Sequence, residues 1–154
     1  MNRNEMMLKL GTYAFIIGII IALCVGLYQA ATLEAALNDY SKADKIFFTT
    51  ETGGAVAWVL AIIGAIVGVL AAFGKGTITK KETPGFLLAG IALVVMGGVF
   101  QVSGGTGGLI GMTMGLKPWI GPLLSGISFS LAIFVAPTVG ILAIRNIWDM
   151  GKDV

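Results

Sequence analysis

Four stretches of this chain, 10–31, 53–74, 85–103 and 119–144, run without a single Asp, Glu, Lys or Arg. Each is close to the roughly 20 apolar residues, at about 1.5 Å per residue in a helix, that a hydrocarbon core of about 30 Å demands. With 56% hydrophobic residues, 12% charged residues and a mean hydropathy of +0.93 over 154 residues, the whole chain lies outside the balance of soluble domains. The sequence therefore predicts an all-α integral membrane protein of four transmembrane helices, forming a single membrane domain over 1–154.

Orientation follows from the basic residues that flank the spans. Arg3, Lys9, Lys75, Lys80, Lys81, Arg145 and Lys152 fall on one side, and Lys42, Lys45 and Lys117 on the other. This places the amino and carboxyl termini in the cytoplasm of a multi-pass plasma-membrane protein. The first apolar run, 10–31, exceeds the usual length of a signal-peptide core and is expected to stay as an uncleaved anchor. Trp58, Trp119, Trp148, Tyr28 and Tyr40 fall near span ends, where amphipathic rings settle at the membrane surface.

Sliding the chain against itself by 72 residues aligns Lys9 with Lys81, Gly18 with Gly90, Gly26 with Gly98, Gln29 with Gln101, Gly54 with Gly126 and Val67-Gly68 with Val139-Gly140. The register suggests tandem helical hairpins over 9–74 and 81–146, in parallel rather than inverted repeat.

Small residues at four-residue spacing share a helix face and let backbones approach closely where apolar burial gives no drive to association. Gly18, Ala22 and Gly26 form such a seam in the first span. Ala57, Ala61, Gly64, Gly68 and Ala72 provide two neighbouring rows in the second, and Ser128, Ala132, Ala136 and Gly140 one in the fourth. So many seams predict packing within the bundle with a face to spare for another subunit. Pro137 removes a helical donor inside the fourth span and predicts a kink. Cys24, in the first span, is expected to pack as a small inert residue. Beyond that span, Leu33, Ala36, Leu37 and Tyr40 repeat as a helical face, so either the first helix continues or a short one lies on the surface, offering a place for a partner.

The chemistry is sparse. The chain has no His, one Cys and no charged residue within a span. Imidazole catalysis, haem or zinc ligation by His and an intramolecular disulfide are excluded, and no P-loop occurs. Asp39, Asp44 and Glu51 do not have the order of a calcium loop. The formal net charge of +2 is too small for nucleic-acid binding. Neither catalytic residues nor a cofactor or metal site is expected.

The deepest polar side chains are Gln29 and Gln101, candidates for an interhelical contact or an outer vestibule. The segment 102–122, with seven glycines and one charge, is expected to cap the second hairpin, with a re-entrant dip over 103–116 as the alternative. The expected function is that of a noncatalytic structural, accessory or self-assembling membrane subunit. Its partners would be membrane lipids and further copies or other integral membrane subunits. The alternative is an oligomeric passive channel or small-solute transporter.

Overall fold

The computed structural model describes residues 3–38, 46–73, 82–99 and 119–152. Helix α1 runs Arg3–Asn38, α2 Glu51–Ala72, α3 Thr83–Val99 and α4 Ile120–Lys152, with a one-turn 3-10 helix, Phe47–Thr49, before α2. All regular structure among the described residues is helical. Three segments, Gly11–Ala36, Glu51–Ala72 and Ile120–Lys152, are long and apolar enough to cross a membrane, and α3 is a shorter apolar helix. The 17 residues of α3 reach about 25 Å, just short of a typical hydrocarbon core.

Two of the helices, α1 and α4, outrun the apolar runs that predict them. The first continues to Asn38 because Thr32–Asn38 contains strong helix formers such as Leu and Ala and no Gly or Pro. Of the face expected there, Leu33 and Ala36 are buried within the chain itself, and Tyr40 lies outside the described residues. At 33 residues, α4 is about 50 Å long, more than a hydrocarbon core of about 30 Å needs. It remains helical through Pro137.

The bundle is organised around α4, which packs extensively against each of the other three, whereas α1 and α2 touch lightly. An exact two-fold relation between the hairpins would give α2 the same central place; the described helices give it to α4 alone.

Glycines set the register. A Cβ on Gly18 would strike the Phe134 ring, and one on Gly26 would lie 2.8 Å from Ile127 Cα, so α1 and α4 are antiparallel. A Cβ on Gly64 would strike the Phe134 carbonyl oxygen and one on Gly68 would lie 2.8 Å from Thr138 Cα, which makes α2 and α4 parallel. Gly90 against Val139 and Gly97 against Ala132 run α3 antiparallel to α4. The chain thus alternates direction from helix to helix.

The core gathers where these contacts converge. Ala22, Leu60, Val67, Phe134, Val135 and Val139 form its buried cluster. Phe134 is fully buried, and the Phe15 ring lies 6.0 Å from both Phe134 and Phe86, joining α1, α3 and α4. Ala71 and Leu142 extend the packing toward the α3 residues Phe86 and Leu87.

Polar groups in the interior pair across helices. Thr138 Oγ1 donates to the Gly64 carbonyl at 2.6 Å, a buried interhelical bond. Arg145 Nη1 donates to the Ala71 carbonyl, in the last turn of α2, at 3.2 Å. Arg145 Nε also stands 3.6 Å from Asp149 Oδ2, one turn on. Ser130 Oγ is buried with no hydrogen-bond partner; the α1–α4 register sets this residue opposite Ala22.

Candidate functional site

At the end of the bundle where α1 stops and α2 and α4 begin, the 3-10 turn is fastened to α1 by two side chains. Gln29 Oε1 accepts from the Phe48 N–H at 3.1 Å, and Thr32 Oγ1 accepts from the Phe47 N–H at 3.2 Å while donating to the Gln29 carbonyl at 2.9 Å. A 3-10 turn leaves its first amides without intrahelical acceptors, so α1 supplies them. Because the Phe48 amide can only donate, it fixes which end of the Gln29 side chain is the oxygen and leaves the Nε2 donors for an acceptor.

The turn feeds directly into α2. Thr50 is the N-cap: its Oγ1 accepts from the Gly53 N–H at 3.1 Å and donates to the Phe47 carbonyl at 2.6 Å. Gly53 is required here, since any Cβ would strike the Phe47 carbonyl oxygen. Aromatic rings brace the outside: Tyr28 meets Phe47 at 5.0 Å and Phe48 meets Phe129 of α4 at 5.3 Å, both edge-on.

Behind this turn lies a half-open cavity of about 270 Å³. Gln29 and Leu33 of α1, Ile46, Phe48 and Thr49 of the turn, Ala57 of α2, and Ser125, Phe129 and Ile133 of α4 line it. Among the described residues no charged side chain does so. The described lining can bind apolar groups and hold one or two uncharged oxygens, and its only nucleophiles are hydroxyls. Among the described residues no three His, Cys, Asp or Glu side chains cluster closely enough to hold a metal ion.

The seams divide between inside and outside. Gly18, Ala22 and Gly26 are buried against α4, as are Gly64 and Gly68, with Ala57, Ala61 and Ala72 half-buried. On α4 itself Ser128 and Ala132 are buried, but Ala136 and Gly140 are exposed, and a Cβ on Gly140 would meet nothing within 4 Å. Four residues advance about 400°, so a row at that spacing drifts about 40° per step, and its lower half swings off the α3 contact.

Three exposed apolar side chains, Ile144, Ile147 and Trp148, continue the open side of α4, with the Lys152 amine 5.7 Å from the Trp148 ring centroid. Cys24, expected to pack, is exposed: it occupies the outer side of α1 beside Leu23 and Leu27. Gln101 and 103–116 lie outside the described residues.

Several contacts were missed by the sequence reading. Gly90, Gly97 and Gly126 make close approaches of the same kind, and Gly90 and Gly97 are seven apart, a spacing that marks one helix face as well as four does. Thr138 and Arg145 act through carbonyls on another helix, which no local pattern announces. No known protein family, curated protein or solved structure matches the chain.

Proposed function

We propose that this protein is a noncatalytic subunit of a membrane assembly, held in the cell membrane by four spans with both termini in the cytoplasm, whose work is to bind other transmembrane helices. The observation that carries the reading is the open side of α4. The helix around which the bundle is built leaves Ala136 and Gly140 uncovered in its inner half, where small side chains admit a neighbouring backbone. Lipid chains gain little from such a groove, because their flexible tails match a smooth surface as well as a notched one; a helix gains close dispersion contact along it.

The 72-residue repeat fits this reading as a duplication whose second hairpin took over the central role. The excess of Lys and Arg beside the inner ends supports the orientation. The channel alternative draws no support from Gln29, whose oxygen is engaged by the turn.

The experiment is cysteine cross-linking in intact membranes, with Ala136→Cys or Gly140→Cys on a Cys24→Ser background. Bridging to a second polypeptide from these positions, and not from Ile62→Cys on the outer side of α2, is the expected result. Equal absence of bridging from all three refutes the proposal.

A further inference from the structure

The cavity behind the 3-10 turn has a polarity that changes along its length. Among the described lining residues the three polar ones, Gln29, Thr49 and Ser125, sit together with Leu33, Ile46 and Phe48 at the end of the bundle where α2 and α4 begin, and Phe129, Ala57 and Ile133 line the wholly apolar part that reaches inward. From Ser125 to Ile133 is eight residues of α4, or about 12 Å. A volume of about 270 Å³ holds about nine non-hydrogen atoms at the roughly 30 Å³ that each water takes in the liquid. Lining residues spread over about 12 Å of α4 give room for a short run of an extended hydrocarbon chain.

We propose that this slot binds one hydrocarbon chain of a membrane lipid, with the oxygen that joins the chain to its headgroup lodged at the Gln29 end. The order of the lining is the order of the lipid: an uncharged hydrogen-bonding group at the membrane surface, then apolar carbon toward the middle. With Oε1 held by the Phe48 amide, Gln29 offers its Nε2 donors, and an ester or ether oxygen is an acceptor. The described lining residues are uncharged, which suits an ester or ether oxygen inside the slot with the charged headgroup at its mouth. The Phe129 ring, braced edge-on by Phe48, forms the wall against which the chain lies. The proposal rests on the membrane-spanning part of the reading above and not on the assembly.

The test uses the full chain in phosphatidylcholine vesicles doped with a phosphatidylcholine that carries a diazirine on one acyl chain, with labelled residues mapped by mass spectrometry after illumination. Val59 and Ile62 of α2 are the reference: both are exposed, and the parallel register of α2 and α4 puts them at the depth of Phe129 and Ile133. Labelling of Phe129 and Ile133 above this reference is expected, with loss of that excess in Ala57→Leu, which fills the slot. Phe129→Trp serves as a second filling variant should Ala57→Leu lose its helical circular dichroism. Labelling of Phe129 and Ile133 no stronger than the reference, or unchanged in a folded filling variant, overturns the slot while leaving the membrane reading intact. No labelling of Val59 and Ile62 either overturns both.

Discussion

Replacing Gly64 by Ala adds one methyl group at the point where α2 and α4 come closest, and the structure specifies what that methyl meets: the carbonyl oxygen of Phe134, with the carbonyl carbon 3.0 Å away. Backbone cannot rotate aside as a side chain can, so the helices must separate. Overpacking of this kind costs about 1–3 kcal/mol. Separation also stretches the Thr138 hydroxyl bond to the Gly64 carbonyl, worth roughly 0.6 kcal/mol for a typical interhelical bond in a membrane. Ala gains up to about 1 kcal/mol over Gly in helix propensity, leaving a net loss of about 1–2.5 kcal/mol.

Gly54, in the same helix, supplies the control, because a Cβ there meets nothing within 4 Å. Gly54→Ala should be neutral or slightly stabilising, so the two substitutions should differ by about 2–3 kcal/mol although they change the same atoms. The assay is reversible unfolding in mixed micelles by denaturing detergent, followed by far-ultraviolet circular dichroism and by the emission of Trp58, Trp119 and Trp148. Equal stability of Gly64→Ala and Gly54→Ala refutes the backbone contact and, with it, the register on which the α2–α4 packing is built.

Thr138→Val should cost roughly 0.6–1.7 kcal/mol in the same unfolding assay, since it strips the buried hydroxyl from the Gly64 carbonyl at nearly constant volume. Ser130→Ala should run the other way and leave stability unchanged or raise it by up to about 1 kcal/mol, because it removes a buried hydroxyl that has no partner. Gln29→Leu leaves the Phe48 amide without its acceptor at a cost of about 1–3 kcal/mol; hydrogen exchange should accelerate at Phe47 and Phe48 while the middle of α4 stays protected. Arg145→Ala should destabilise by about 1 kcal/mol through the loss of the bond to Ala71, and Asp149→Ala by no more than about 0.5 kcal/mol, since the ion pair it breaks is partly exposed.

How far the sequence spoke depended on whether a feature is local. The absence of charge over 53–74 and 119–144 is a local property, and it locates α2 and α4 because hydrocarbon tolerates neither charges nor open backbone. Gly18 and Gly26, or Gly64 and Gly68, were legible as seams because a contact confined to two turns leaves a repeat in the sequence. Over the three turns from Ser128 to Gly140 the same spacing rotates about 120°, so Ala136 and Gly140 leave the contact that Ser128 and Ala132 make.

The central place of α4 was not legible at all. The charge-free run of each of the four helices has no polar face to mark which side meets its neighbours, so the pattern cannot say which helix is surrounded by the others. The pairing of Gln29 with Phe48, 19 residues away along the chain, is of the same non-local kind. The side chain was visible as unusual, and its partner was not.

The account is tested most directly by the mass of the particle that carries this chain when it is cut from its own membrane in polymer-bounded lipid discs, with no detergent step. The prediction is a particle holding more than one polypeptide, which Gly140→Trp reduces to the single 16.0 kDa chain by filling the groove on α4. A wild-type disc with one 16.0 kDa chain and no other protein contradicts it.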